Sequence, residues 1–364
     1  MKKVLAVLGS NFLGHITNVL PITDFLKQHS FDIDFVIVPL SKLENPPIVK
    51  FLTEKNIKFD YIDTFTSTKI PTNVFSYLDL LYMYEFANFE KTRNYYQFIK
   101  NTVLSKNYEL VVSDFTLFTS MVCKEYNIRF VAIRSHSLKV SNYQNKPIEL
   151  FNWWSEIPKE TKKMINNVQD VFTNKMNIDS FERVLYGDIT ITPGFFPFDD
   201  LFPNYGKHFF VTEKNELKNN LPEKDVYLYV RDISKLDIIL RILSKHNKSY
   251  FIIDSNLNSQ FINLWESIPN TKLLISHGGH GMCIWSISHK LFHLILPDNN
   301  DRLSNAKRLK ELGLGDYLLS LNNLDLYFTN FGYNEQIINF NSANLVDTSI
   351  SFDEFSNYLL TQIQ

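Results

Sequence analysis

The stretch Leu273-Leu274-Ile275-Ser276-His277-Gly278-Gly279-His280-Gly281-Met282 reads as a buried strand running straight into the start of a helix. Its apolar run shows no alternation, which fits a strand covered on both faces. Three glycines in four positions then open a helix that extends to His289. Glycine is scarce in this chain, 11 in 364 residues, where average usage would supply about 25. Such a concentration marks a place where the backbone must come close to something. Helix starts present N–H groups and the positive end of the helix dipole, so the loop suits a phosphate, with His277 as an added donor. Two rival readings stay open on these residues. One is metal ligation by His277 and His280, for which no third ligand stands nearby; the other is a plain packing turn.

Working outward, short apolar runs alternate with helical patterns. Strands are expected over Asp225 to Val230, Ser249 to Ile253 and Leu291 to Leu296, with helices over Ser234 to His246 and Asp301 to Leu312. Earlier in the chain, strands are expected over Lys3 to Gly9, Ile33 to Val38, Lys58 to Ile62, Glu109 to Ser113 and Arg129 to Ile133. Helices are expected over Leu13 to His29, Pro46 to Lys55, Leu117 to Tyr126 and a long region from Asn73 to Lys106. This predicts an α/β protein of two Rossmann-like, doubly wound halves. The rhythm breaks between Lys139 and Tyr205, around Trp153-Trp154, a helix from Lys159 to Lys175, and Pro193, Pro197 and Pro203. The expected division is therefore a first domain over 1–205, a second over 206–350, and a closing helix over 351–364 that packs back toward the first. Ligands of such sheets bind beyond the carboxyl ends of the strands, so two facing halves would hold a ligand in a central cleft.

Composition removes several classes. With 45% hydrophobic and 15% aromatic residues the chain is not a disordered one. Its 37 basic and 39 acidic residues leave a net charge of −2, which provides no drive toward nucleic acid. Cys123 and Cys283 are too few for a disulfide framework or a cysteine zinc site, and fit a reducing, cytoplasmic setting. Lys2-Lys3 before Val4-Leu5-Ala6-Val7-Leu8 imitates a signal peptide, but Gly9-Ser10-Asn11 ends the run, so a first buried strand is expected instead.

Three further loops draw attention. Gly9-Ser10-Asn11-Phe12-Leu13-Gly14-His15 leaves the first strand and sets His15 at the mouth of a helix, as a base or merely as a helix cap. It lacks the dinucleotide-binding fingerprint. Pro297-Asp298-Asn299-Asn300-Asp301-Arg302 enters a helix, with Asp301 either a cap or a partner for ligand hydroxyls. Gly313-Leu314-Gly315 reads as a helix stop.

The run Leu274 to Gly281, with Pro297, Asp301 to Ala306 and Gly313 to Gly315, resembles the donor-binding segment of nucleotide-sugar-dependent glycosyltransferases. The resemblance is to the GT-B fold and to the UDP-glycosyltransferase superfamily, of the family 1-like bacterial type. Gly14-His15 matches that family's catalytic-histidine loop, and Glu109 to Asp114 resembles the strand that delivers its partner aspartate. The resemblance implies an inverting, metal-independent hexosyl transfer without a cofactor, from a UDP- or dTDP-type donor to a hydroxyl of a small-molecule or lipid-like acceptor. His15 would be the general base and Asp114 its orienting partner, where the residues alone suggest for Asp114 a cap of the next helix. The diphosphate would lie on His277, Gly278, His280 and the N–H groups of Gly279, Gly281 and Met282.

Some positions depart from the family pattern. Met282 stands where Ser or Thr is usual, Trp285 where a ribose-binding glutamate falls, and Arg302 where Gln follows the acid matched by Asp301. Arg231-Asp232 replaces a Gly-Ser loop, with Arg231 either on phosphate or in a surface ion pair. These departures keep two alternatives in view: an epimerase or hydrolase of nucleotide sugars, and a non-catalytic binding protein. On the acceptor side, Phe75, Tyr77, Leu80, Tyr82, Tyr84, Phe86, Phe89, Tyr95, Tyr96 and Phe98 crowd one region and Trp153-Trp154 another. Most are expected in the core, the rival readings being an acceptor pocket or a peripheral membrane contact. Lys159, Lys162 and Lys163 read as a solvated helix face.

Overall fold

The computed structural model describes residues 2–11, 13–67, 77–134, 158–178, 184, 186–194, 198, 207–212, 219–230, 232–253, 267–329 and 349–363. Phe75, Trp153-Trp154, Arg231 and residues 203–206 around the expected domain division lie outside the described residues. The chain forms two compact units. The first comprises 1–195, 199–212 and 348–364, and the second 196–198 and 213–347.

In chain order, the first unit begins with β1 (Lys3–Leu8), α1 (Leu13–Gln28), β2 (Asp32–Ile37), α2 (Pro47–Glu54) and β3 (Asp60–Tyr61). There follow α3 (Tyr77–Met83), α4 (Phe89–Val103), β4 (Leu110–Asp114), α5 (Thr119–Glu125), β5 (Arg129–Ile133), α6 (Lys159–Asp170), β6 (Ile189–Pro193) and β7 (Lys207–Thr212). The second unit has β8 (Asn219–Asn220), β9 (Val226–Tyr229), α7 (Ile233–Lys245), β10 (Tyr250–Ile252), β11 (Ser267–Ile268), β12 (Leu273–Ser276) and α8 (His280–Ser288). It continues with β13 (Phe292–Ile295), α9 (Asn300–Glu311), β14 (Gly315–Tyr317) and α10 (Asn322–Thr329). The chain then returns to the first unit through β15 (Ile350–Ser351) and α11 (Phe352–Ile363).

The first sheet is wholly parallel, in the order β15-β7-β6-β5-β4-β1-β2-β3. Alternate residues of its central strand serve opposite cores. Leu5 and Val7 pack with Leu81, Tyr95 and Val122 on one face. Val4, Ala6 and Leu8 pack with Ile16, Val19 and Phe355 on the other. Burial on both faces explains why these strands read as unbroken apolar runs. The second unit has a five-stranded parallel sheet, β10-β9-β12-β13-β14, and β11 pairs with β8. Strand order reverses between β1 and β4 in the first sheet and between β9 and β12 in the second. At such a reversal the connections leave toward opposite faces, which opens a crevice at the carboxyl ends of the strands.

Several expectations need correction. The division at 205 moves to Thr212, because β7 pairs along β6 from Ile189↔Lys207 to Pro193↔Val211. At the far end, β15 adds to β7, and α11 lies against α1, with Lys2 Nζ donating to the Ile363 carbonyl at 2.7 Å. The long helical region is broken at 84–88, where Glu85 takes a left-handed φ of 67° and Asn88 caps α4 through the Lys91 N–H. The helix from Lys159 gives way to one π-helical turn at Val171–Lys175. Leu80, Tyr84, Phe86 and Tyr95 are core, and Tyr82, Phe89, Tyr96 and Phe98 pack against it. Among the described residues no helix is long and apolar enough to cross a membrane.

The reversal between β1 and β4 depends on Gly9. Its N–H donates to the Asp114 carbonyl at 2.9 Å. A Cβ there would overlap the Phe115 carbonyl oxygen and stand 2.7 Å from its carbon. At Gly14, by contrast, a Cβ would meet nothing within 4 Å. Gly9→Ala should therefore destabilise the protein by about 3 kcal/mol or more, while Gly14→Ala, inside α1, should stabilise it by up to about 1 kcal/mol. Urea unfolding of both variants measures this, and equal effects would contradict the close approach.

Candidate functional site

The loop after β1 is fixed from several sides before it delivers its histidine. Asn11 is fully buried. Its Nδ2 donates to the Ser41 carbonyl at 2.6 Å, its Oδ1 accepts from the Tyr61 hydroxyl at 3.0 Å, and its own carbonyl accepts from the Ile48 N–H at 3.2 Å. From this anchored loop α1 departs, and His15 in its first turn points toward the end of β4. There His15 Nδ1 lies 3.1 Å from Asp114 Oδ1. An ionised carboxylate only accepts, so Nδ1 is the nitrogen that donates, and in the neutral ring Nε2 keeps the lone pair. Asp114 is nearly enclosed, at 7% side-chain exposure, whereas the His15 ring is 27% exposed. That combination holds the ring firmly while leaving it access to a ligand.

The turn beyond Asp114 is strained. Phe115 and Phe118 take left-handed φ values of 60° and 65°, a conformation that costs about 1–3 kcal/mol per residue outside glycine. The surrounding packing holds them there. Thr116 Oγ1 donates to the Val7 carbonyl at 3.2 Å, and the Phe115 ring sits 5.2 Å from the His15 ring. The residue at the cap of α5 is Phe118. Asp114 therefore does not cap that helix; its carboxylate meets His15.

In the second unit the loop after β12 turns sharply. Gly278 has φ +82°, and a Cβ on it would lie 2.5 Å from Ile295 Cγ2. The Gly278 N–H turns inward to Ser276 Oγ at 2.9 Å, and its carbonyl accepts from Asn305 Nδ2 at 2.9 Å. Gly279 caps α8 without a side-chain bond. Of the N–H groups expected to meet a phosphate, that of Met282 is engaged by the Gly279 carbonyl at 3.0 Å. Those of Gly279 and Gly281 have no hydrogen-bond acceptor among the described residues. His277 Nδ1 donates to the Tyr229 carbonyl at 3.3 Å, and His280 stacks on Phe198 with ring centroids 5.8 Å apart. Among the described residues no group of three or more His, Cys, Asp or Glu is arranged to hold a metal ion.

A pocket opens beside this loop, lined by Val230, Asp232, Lys235, His277, Leu296, Asp298 and Arg302. These residues follow β9, β12 and β13 or begin α7 and α9, so the pocket sits where the strand order reverses. Asp232 caps α7 by accepting from the N–H groups of Ser234 at 3.0 Å and Lys235 at 3.4 Å. The hydrogen bond from Ser234 holds its carboxyl below the usual range. Arg302 Nη1 pairs with Asp298 one turn before it. The α9 cap is Asn299, whose Oδ1 accepts from the Arg302 N–H at 2.9 Å. Asp301, in the first turn of α9, is described through its backbone only.

Met282 and Trp285 do not line the pocket. Both are buried, Trp285 at 1% exposure, against Tyr227, Leu274 and Leu291. Residues 282–287 are all buried, so α8 is enclosed around its whole circumference, and Gly281 at its first turn is exposed. Sequence reading missed Ser276, Ser286, His293 and the role of Asn305, all buried polar groups that brace the loop. A lone histidine inside the apolar run Phe292 to Leu296 was the available signal.

No family model matches the chain. A demethyllactenocin mycarosyltransferase of Streptomyces fradiae is 34% identical over 59 residues, which span 16% of this chain and 13% of that protein. Solved structures resemble the chain over its length. The SsfS6 glycosyltransferase of Streptomyces sp. SF2575 is 13% identical with a TM-score of 0.60, covering 99% of this chain and 100% of that one. CalG4, the calicheamicin glycosyltransferase, is 12% identical with a TM-score of 0.60, covering 99% and 98%. The glycosyltransferase VinC in complex with DTDP is 11% identical with a TM-score of 0.55, covering 100% and 99%. The fold is thus the GT-B fold that the sequence resemblance implied.

Burial of Trp285 gives a direct check. Trp285→Ala should lower the unfolding free energy by about 3–5 kcal/mol, the range for deleting a large buried aromatic. Denaturant unfolding measures it, and a loss below about 1 kcal/mol would return Trp285 to the surface.

Proposed function

We propose that the protein is an inverting glycosyltransferase. It moves a hexose from a UDP- or dTDP-type nucleotide sugar to a hydroxyl of a small-molecule or lipid-like acceptor, and works in the cytoplasm. The observation that carries this reading is the His15–Asp114 pair at the strand reversal of the first sheet, with Nδ1 bound to the carboxylate and Nε2 left as a base. Support for the donor comes from fold relatives described in complex with thymidine diphosphate and with DTDP, and from the short match to a mycarosyltransferase.

In this reaction Nε2 takes the proton of the acceptor hydroxyl as its oxygen attacks the anomeric carbon. The bond from that carbon to the diphosphate oxygen breaks, and its electron pair leaves with the phosphate. Attack from the side opposite the leaving group inverts the centre. Asp114 offsets the positive charge that develops on the imidazole and keeps the ring in its reactive tautomer. On the donor side, the N–H groups of Gly279 and Gly281, the side chains of Lys235 and Arg302, and His277 once its Nε2 is also protonated, stabilise the charge growing on the diphosphate. Protein groups fill that role in this scheme without a metal ion.

The motive for a non-catalytic reading weakens, since Met282 and Trp285 belong to the core and do not spoil a ligand surface. A thermal-shift screen against UDP, dTDP, GDP and CMP sugars identifies the donor. With that donor, His15→Ala should reduce transfer by about 10³-fold or more, and Asp114→Asn by about 10²–10⁴-fold. Nucleotide affinity should stay at the wild-type value in both. Normal transfer by His15→Ala would remove the base assignment.

A further inference from the structure

A chain of buried polar groups runs beneath the second loop, and the chemistry above makes no use of it. Its centre is His293 on β13, fully buried between strands and α8. The imidazole Nε2 lies 2.7 Å from Ser276 Oγ, and Nδ1 lies 3.0 Å from Ser286 Oγ. Backbone groups at the two ends fix the direction of every bond. Ser286 Oγ donates to the Cys283 carbonyl at 2.8 Å, so its single proton is committed and it must accept from Nδ1–H. With Nδ1 protonated, Nε2 is an acceptor and receives the hydrogen bond that the Ser276 hydroxyl donates. Ser276 Oγ in turn accepts the Gly278 N–H at 2.9 Å. The donors therefore run one way, from Gly278 through Ser276, His293 and Ser286 to the Cys283 carbonyl.

A doubly protonated ring would break this order. Ser276 would then face two donors and carry a proton with no acceptor, in a site closed to water. Burial, with a further push from His277, drives the pKa of His293 down to about 3. The backbone that carries the ring is fixed as well. Across the β13–β14 pair, Gly315 stands opposite His293, so close that a Cβ on it would run into the His293 carbonyl.

The consequence falls on Gly278. Its left-handed turn leaves no room for a side chain, so its geometry is set through its own backbone groups. One is held by Ser276 and the other by Asn305. Through Ser286 the same imidazole grips α8, the helix that the turn opens. We propose that neutral His293, as the Nδ1–H tautomer, is a positioning residue that sets the Gly278–Gly279 turn and, resting on the donor reading above, the affinity of the second unit for a nucleoside diphosphate.

The test uses the full chain labelled with ¹⁵N-histidine and the nucleotides UDP and dTDP. Long-range proton–nitrogen spectra should show His293 with Nδ1 protonated and Nε2 bare at every pH from about 5 to 8, across the normal histidine pKa. His293→Asn keeps a donor for Ser286 but loses the acceptor for Ser276. It should weaken nucleotide binding about tenfold or more and raise the donor KM by a similar factor, with kcat changed less than about threefold. Ser276→Ala cuts the same link from the other side and carries the test if His293→Asn does not fold. The double variant should lose no more than either single one, because both break one chain. His293→Gln, which restores an acceptor near Ser276, should recover part of the loss. A folded His293→Asn or Ser276→Ala protein that binds nucleotide like the wild type overturns the proposal. A bare Nδ1 overturns the proposed tautomer and the one-way chain, whatever the nucleotide affinities. A wild type that binds neither nucleotide overturns the donor reading and the affinity claim together, while the spectra still report the chain.

Discussion

The first unit depends on one close approach, the Gly9 backbone against the residues that end β4. Strands β1 and β4 are distant in sequence but adjacent in the sheet, and their exits must pass each other at the point where strand order reverses. Gly9 permits this because it has nothing to put against the Phe115 carbonyl, and its N–H closes the gap to the Asp114 carbonyl. Once the two exits are tied, His15 and Asp114 have little freedom left. The anchored Asn11 sets where α1 begins, and the strained Phe115 and Phe118 are the cost of turning the β4 exit under the ring. A side chain at position 9 would push His15 and Asp114 apart without touching either side chain.

The second unit solves the same geometric problem with different chemistry. Gly278 at the β12 exit makes the close approach, here to Ile295. The loop after β9 supplies Val230 and Asp232 to the pocket from the other side of the reversal. The loop is held by neutral side chains, Ser276 and Asn305, and its outward groups are N–H donors. Glycines at the two reversals thus do unequal work. Gly9 and Gly278 meet backbone or core atoms, whereas Gly14 and Gly281 face open space. Scarcity of glycine located both loops, but only contact geometry separates the glycines the fold demands from those it tolerates.

The strands were legible because both faces of each sheet are covered, which writes burial into the sequence as continuous apolar runs. Arg129–Ile133 falls where it was read, and most helix ends shift by a residue or two. Less legible was anything set by distant pairing. Residues 207–212 carry an ordinary strand pattern, and nothing local says that they extend the first sheet past Pro203. The break at 84–88 hides behind continuous helical spacing, with Asn88 as its single cap signal. His15 and the 277–281 loop drew attention as glycine-bearing strand exits, whereas Asp114 was singled out only by the resemblance of its strand to that of the family's partner aspartate. Met282 and Trp285 were misplaced for a different reason. Matching positions to a family pattern assigns a role without asking what packs on the helix, and α8 is buried on every side from Met282 to Ile287.

His15 and His293 are held by their partners in ways that follow from what each must face. His15 gains a proton during the proposed reaction, so an acidic partner is useful: Asp114 offsets a charge that exists only near the transition state. Beneath the second loop no group changes charge, and the expected ligand brings its own negative charge. A carboxylate buried there would oppose that ligand and would itself need a compensating cation. A one-way chain of hydroxyls around a neutral imidazole avoids both costs, because it satisfies every buried donor without adding charge. The absence of an acid among Ser276, His293, Ser286 and Asn305 is therefore what an anion-receiving loop requires of the layer beneath it.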